Sequence, residues 1–258
     1  MNADTAKIKE LIRKVKPLFL DHEGASHIRV KGVSDFVTQI DLQVQEYMKE
    51  ELRKLYPQIQ FMGEEKDNSE IDFSGAVWIL DPVDGTTNLI HDYHHSALSL
   101  GLCVGGRMEM GFIYQPYTDE MYWAERGKGA WVNEEPIHVS AADTLERSLV
   151  AVGTCPYNHD LAEENFRLFK EIFLNCSDIR RCGTASLDLA YVACGRTEAY
   201  FERILKPWDF AAGLLLVQEA GGTVTDFSGN PVDPTKPSGI LAGNGVIGEI
   251  LRERFFKK

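Results

Sequence analysis

Trp78-Ile79-Leu80-Asp81-Pro82-Val83-Asp84-Gly85-Thr86-Thr87-Asn88 is the stretch that decides how this 258-residue chain is read. A short apolar run over 76–80 drives straight into two aspartates. A run of that length bounded by turn residues reads as a buried strand, and open α/β sheets place their ligands at such strand ends. Asp81 and Asp84 stand three residues apart, so both side chains and an intervening carbonyl can converge on hard cations, which take oxygen ligands. If a helix opens at Gly85-Thr86-Thr87, its free backbone N–H groups face the same point and suit an anion such as phosphate. Asp-Gly between apolar runs also fits a hairpin turn, so the segment alone leaves turn and metal site open. An EF-hand loop is a poor match, because it needs acids two apart and a terminal glutamate.

Outward from this stretch the pattern changes twice. Upstream, Ile8, Leu11, Ile12, Val15, Leu18 and Phe19 share one helical face, which Pro17 kinks or shortens. A second helical stretch carries Val37, Ile40, Val44, Tyr47, Met48 and Leu55, with Thr38 and Asp41 as its capping pair. A short run over 59–62 ends at Gly63. Downstream, 97–104, 111–114, 120–124 and 129–132 read as an antiparallel meander with turns at Gly105-Gly106 and Arg126-Gly127. After 140–147 the order becomes strand (149–152), helix (162–173), helix (186–193) and strand (198–201). Pro207 then opens a helix that Gly221-Gly222 ends, and two short strands and a last helix follow. Meander first and βαβα later predicts a layered α+β and α/β protein in one domain, 1–258. A soft internal boundary near 140–147 separates an antiparallel half, 1–143, from an α/β half, 144–258.

Composition narrows the function classes. Lys and Arg number 27 and Asp and Glu 39, a net charge of −12. That balance disfavours nucleic-acid coating and anionic-membrane binding, both of which want a basic face. It permits an anionic substrate when a divalent cation lies between. The five cysteines form no C-x-x-C pair, which points to free thiols in a reducing cytoplasm. No apolar run reaches the ~20 residues of a spanning helix, and the first residues show no signal-peptide pattern. A cytoplasmic location is expected.

Three further acidic sites are weak singly. Gly63-Glu64-Glu65 fits a solvated loop, Asp41 a helix cap, and Asp209 in Trp208-Asp209 an acid favoured by a helix N-terminus. Together they place carboxylates at element ends that can reach one cleft. In order and spacing, Gly63-Glu64-Glu65, Asp81-Pro82-Val83-Asp84-Gly85-Thr86-Thr87-Asn88 and Pro207-Trp208-Asp209 resemble the three signatures of the inositol monophosphatase family. Asp35 to Asp41, Gly183-Thr184-Ala185 and Glu219-Ala220-Gly221-Gly222 resemble it too, so the likeness runs from about residue 30 to the C-terminus. It is strongest toward bacterial inositol-1-monophosphatase-like proteins.

The resemblance implies an α-β-α-β-α sandwich of the inositol monophosphatase and fructose-1,6-bisphosphatase type. It implies a lithium-sensitive phosphomonoesterase using two to three Mg²⁺ ions, usually a homodimer, acting on inositol monophosphate. By it, Glu64, Asp81 and the Val83 carbonyl hold the first ion and Asp81, Asp84 and Asp209 the second, while a third lies near Glu64 through water. Thr86 paired with Asp41 orients and helps deprotonate the attacking water, Glu64 aids through the ion's water shell, and no covalent phosphoenzyme forms. Asp84, Gly85, Thr86, Gly183, Thr184, Ala185 and Glu202 meet the substrate, and Lys31 helps neutralise phosphate. Such a cation clamp suits phosphate-ester hydrolysis, which needs phosphoryl charge neutralised and a nucleophilic water held in place.

One departure touches specificity: His91-Asp92-Tyr93-His94-His95 lacks the proline that the family often has there. These histidines lack the cysteine partners or helical spacing of a zinc site and read as packing or surface residues. Related substrates within the family are fructose-1,6-bisphosphate, NADP and 3′-phosphoadenosine 5′-phosphate. A haloacid-dehalogenase-type phosphatase is a competing class, but its aspartates are separated by one residue and here by two. A regulatory role, in which some bacterial members act on the transcription machinery, is the non-enzymatic alternative.

Overall fold

Trp78 and Leu80 are buried in one hydrophobic cluster, and Val77 and Ile79 in another. A strand covered on both faces reads as a continuous apolar run rather than an alternating one. The computed structural model describes residues 3–257. In chain order its helices are α1 (Thr5–Arg13), α2 (Lys16–Phe19), α3 (His22–Ser26), α4 (Gln39–Leu55), α5 (Thr86–Ile90), α6 (Ala162–Phe173), α7 (Ala185–Ala193), α8 (Pro207–Glu219) and α9 (Val246–Leu251). The strands are β1 (Ile28–Gly32), β2 (Asp35–Thr38), β3 (Gln60–Gly63), β4 (Ala76–Asp84), β5 (Ala97–Val104), β6 (Arg107–Gln115), β7 (Glu120–Glu125), β8 (Ala130–Val132), β9 (Glu135–Ile137), β10 (Leu149–Val152), β11 (Asp178–Arg180), β12 (Ala199–Leu205), β13 (Thr223–Thr225) and β14 (Ser238–Gly243).

Two sheets and three helical layers alternate. The seven-stranded sheet runs β3-β4-β5-β6-β7-β8-β9, parallel at β3–β4 and antiparallel elsewhere. One face packs on α1 and α4 through Ile8, Ile12, Val44 and Met48. The other packs on α7 and α8, whose far side meets the five-stranded sheet β11-β10-β12-β14-β13. The outer face of that second sheet is covered by α6 and α9 through Leu168, Phe169, Ile172, Ile247 and Leu251. The layered α-β-α-β-α architecture is therefore present. Helices between two sheets must be apolar all round, and α8 is, with Phe210 through Val217 buried without a break. Its backbone comes so close to β6 that a Cβ on Gly111 would stand 2.6 Å from the Ala212 carbonyl oxygen. Among the described residues no helix is long and apolar enough to cross a membrane.

Several elements differ from their expected extent. The first helix ends at Arg13, and Pro17 sits in the first turn of α2, where its missing N–H costs nothing. Val37 belongs to β2 rather than to a helix, and Thr38 caps α4. The hairpin β1–β2 was not expected at all, because β1 is exposed at every position and shows no alternation for a core to impose. The three-residue strands β9 and β11 are too short to carry a period.

Candidate active site

The N-terminal ends of α4, α5, α7 and α8 and the end of β4 all contribute residues to one region. Helix N-termini carry partial positive charge and favour acids there, and Asp41, Asp188 and Asp209 each sit in a first helical turn. β4 continues past Leu80 to Asp84, pairing Asp81 with Ser99 and Asp84 with Ala97 across a register shift. The Val83 N–H donates to Asp81 Oδ1 at 3.0 Å. Gly85 then takes φ +86°, and a Cβ there would lie 2.4 Å from Thr184 Oγ1. A side chain is excluded on both counts. α5 opens directly behind it, so Asp84-Gly85 is a strand-to-helix turn and not a hairpin. The opening N–H groups of α5 have no acceptor within the helix.

Asp41 both caps α4 and bonds a residue of the cleft wall. Its Oδ2 accepts from the Thr38 N–H at 2.8 Å and from Thr38 Oγ1 at 2.5 Å, completing a capping box. Its Oδ1 accepts from Thr86 Oγ1 at 3.0 Å, across 45 residues of sequence. The same Thr86 hydroxyl lies 3.0 Å from the Val83 carbonyl oxygen. It has a single proton to share between the two acceptors. Burial pushes the Asp41 carboxyl up to about 6, against the lowering effect of its Thr38 and Thr86 donors.

Glu64 follows β3, and Gln45 of α4 holds its loop by donating to the Glu65 carbonyl (3.0 Å) and accepting from the Glu65 N–H (2.9 Å). From the β1–β2 hairpin, Lys31 Nζ reaches Glu64 Oε1 at 3.0 Å and Glu65 Oε1 at 2.6 Å. Asp209 accepts from the Lys206 N–H at 2.6 Å at the head of α8. A cleft of about 530 Å³ is lined by Glu64, Asp84, Gly85, Thr86, Gly183, Thr184, Ala185, Glu202 and Asp209. Of the expected site residues, Asp41, Asp81 and Val83 are buried and do not line that wall. Asp41 is joined to it through Thr86, and Asp81 lies close enough to Glu64, Asp84 and Asp209 to be repelled by each.

This concentration of like charge decides what the region can hold. Burial and then neighbouring acids push Asp81 and Asp209 well above the usual carboxylate range. Burial raises Asp84 to about 6 against its Ser186 donor. Burial raises Glu64 to about 7 despite Lys31. No three His, Cys, Asp or Glu side chains among the described residues stand at the spacing of a closed metal shell. The donor chemistry still fits a hard cation: carboxylate and carbonyl oxygens only, buried, mutually repelling, with no sulfur or imidazole. Folded values near 6 and 7 exceed ordinary values of 3.8 and 4.5, so the folded state holds extra protons in that interval. The stability they contribute is complete below the unfolded values and lost as pH rises through the folded ones. Melting temperature in EDTA is expected to fall between pH 5 and 7.5 by several degrees (~1 kcal/mol moves a domain this size by roughly 2–4 °C). Mg²⁺ should restore it at pH 7.5 and matter little at pH 5. A metal effect equal at both pH values would contradict this.

The region also makes contacts that the sequence did not announce, through Asn88 and Thr184 of the quoted motifs, and includes two residues not singled out, Arg181 and Asp188. Asn88 Nδ2 donates to the His95 carbonyl (2.7 Å) and the Cys182 carbonyl (2.9 Å), locking α5 to the loop before α7. Thr184 Oγ1 donates to the same His95 carbonyl at 2.7 Å. The His91–His95 segment therefore acts through its backbone, while His94 stacks on Tyr117 at 4.8 Å and pairs with Asp92. Arg181 and Asp188 line the cleft as well. The signal for Asp188 was present as an acid set between Leu187 and Leu189 on an apolar helix.

Buried acids gathered at strand and helix ends, beside the free N–H groups of a glycine-led turn, are a donor set that suits hard cations with an anion between them. The inositol monophosphatase family model matches residues 2–256, and the chain belongs to that family. It is 39% identical over 248 residues to an inositol-1-monophosphatase of Rhizobium meliloti (strain 1021), covering 95% of this chain and 93% of that protein. It is 40% identical over 218 residues to the Nus factor SuhB of Escherichia coli (strain K12), covering 84% and 79%. The crystal structure of the extragenic suppressor protein SuhB from Bartonella henselae superposes with a TM-score of 0.88 at 37% identity, over 96% of each chain.

Proposed function

We propose that the cleft hydrolyses myo-inositol 1-phosphate to myo-inositol and phosphate by direct attack of water, with Mg²⁺ as cofactor. The observation that carries this is the Asp41–Thr86 pair, a buried carboxylate hydrogen-bonded to a hydroxyl on the wall of an acid-lined cleft. Glu64, Asp81 and the Val83 carbonyl would hold one ion, Asp81, Asp84 and Asp209 a second, and Glu64 a third through water. Bound Mg²⁺ supplies positive charge against the phosphoryl oxygens. The chain does the rest. Thr86 Oγ1 accepts a proton from the attacking water as its own proton passes to Asp41 Oδ1, so the dyad orients the nucleophile and takes up the proton it must lose. The N–H groups of Gly85, Thr86 and Thr87 steady the phosphate. Asp84, Gly183, Thr184, Ala185 and Glu202 hold the alcohol half.

The membership of the family and the relative named inositol-1-monophosphatase support this substrate. The relative named Nus factor favours a second reading, a regulatory contact kept alongside catalysis. A panel of phosphate esters scored by kcat/KM separates the candidates. Inositol 1-phosphate is expected to exceed fructose-1,6-bisphosphate, NADP and 3′-phosphoadenosine 5′-phosphate, and EDTA or lithium is expected to abolish turnover. Turnover indifferent to EDTA, or a preference for another ester, would overturn the assignment.

A further inference from the structure

Every carboxylate described so far in the cleft has a donor. Asp84 accepts from the Ser186 N–H at 2.6 Å, Asp209 from the Lys206 N–H at 2.6 Å, and Glu64 from Lys31 at 3.0 Å. Glu202 has both oxygens engaged, Oε1 by the Cys155 N–H at 2.8 Å and Oε2 by the Tyr200 hydroxyl at 2.7 Å. Asp188 differs. It is only 2% exposed, it lines the same cleft, and no residue among those described donates to its carboxyl. The charged groups that act on it are two acids, Glu202 and Asp84, and one cation, Arg181, by charge alone, and the Tyr200 hydroxyl and Cys182 thiol also lie within its field. The Arg181 guanidinium is turned to Thr154, donating to its Oγ1 from Nε at 3.1 Å and from Nη2 at 2.8 Å.

The Asp188 carboxyl is not sealed off but opens onto the cleft, so a ligand that displaces water there must either bond it or leave it unpaired, at a cost of about 1–3 kcal/mol. A hydroxyl suits it in either protonation state, because a hydroxyl both donates and accepts. A further metal ion suits it less: the adjacent Glu202 oxygens are already taken. We propose that Asp188 binds a hydroxyl of the alcohol half of the phosphate ester beside Glu202, and so selects polyhydroxylated alcohols over hydroxyl-poor ones. The inference rests on the phosphatase assignment above and names a specificity residue for it.

The test compares myo-inositol 1-phosphate with cyclohexyl phosphate, the same ring without hydroxyls, on the full chain with saturating Mg²⁺. Wild type is expected to prefer the inositol ester. Asp188→Ala is expected to shrink the ratio of the two kcat/KM values by about tenfold or more, mostly through a raised KM for inositol 1-phosphate. Asp188→Asn, which preserves shape, keeps the experiment decisive if the alanine variant does not fold, and is expected to shrink the ratio by at least about threefold. A ratio unchanged within about twofold, or an equal loss on both esters as a purely structural role would give, overturns the proposal. Wild type that hydrolyses both esters with no preference overturns it while leaving the phosphatase assignment standing. Wild type that hydrolyses neither overturns both.

Discussion

Asp81→Asn is expected to lower kcat/KM by at least ~10³-fold while the protein stays folded, the scale of removing one preorganised electrostatic group. Asp81 is 3% exposed and repelled by Glu64, Asp84, Asp209 and Asp41 together. It is the only residue assigned to both principal ions, so its neutral isostere weakens two sites with one atom change. The amide keeps the volume, and its oxygen can still accept from the Val83 N–H that now bonds Oδ1 at 3.0 Å. Removing one of several clustered acids also relieves repulsion, so the variant should melt higher than wild type in EDTA and gain less from Mg²⁺. Loss of rate with an unchanged EDTA melting temperature would mean that charge crowding is not what shapes this region. Rate within tenfold of wild type would remove Asp81 from the mechanism.

Asp41→Asn is the second large effect, an expected ~10²–10⁴-fold loss in kcat, the usual yield of a positioned general base. Asn retains an oxygen for the Thr38 N–H, so at N3 of α4 it keeps the reciprocal bond of the capping box, and the α4 terminus should lose about 1 kcal/mol or less. The pH profile separates proton transfer from folding. Asp41 must be ionised to take the Thr86 proton, and its carboxyl is pushed up to about 6 by burial. Cations bound nearby lower a carboxyl from its metal-free value, so wild-type kcat should rise with pH through a limb at or below about 6, and the variant should lose that limb along with most of its rate. A variant that keeps the wild-type profile at reduced amplitude would assign the titration to another group.

The site was legible where its chemistry left strong local marks. The run into Asp81 and Asp84 was visible because β4 is covered on both faces and must be apolar up to the acids. The cap of α4 was visible because Thr38 and Asp41 have the spacing that a capping box requires. What stayed hidden depends on distance in sequence. The Asp41–Thr86 bond spans 45 residues and is reached only through the family resemblance, while the Thr184–His95 bond spans 89 and has no period to announce it. The β1–β2 hairpin was hidden for a different reason. Ile28 and Val30 are exposed, so the two-residue alternation that marks a strand against a core is missing. Asp188 was overlooked because an acid on an apolar helix gives no indication of which wall it faces until α7 is placed between the sheets.

The proposed chemistry operates only if the buried acids of this cleft hold cations. The most direct measurement is anomalous scattering from crystals grown with Mn²⁺ and inorganic phosphate. The predicted result is at least two peaks within about 2.2 Å of oxygens from Glu64, Asp81, Asp84, Asp209 and the Val83 carbonyl, the reach of a small hard divalent ion. Peaks elsewhere on the protein, with these carboxylates unliganded at saturating metal, would contradict it.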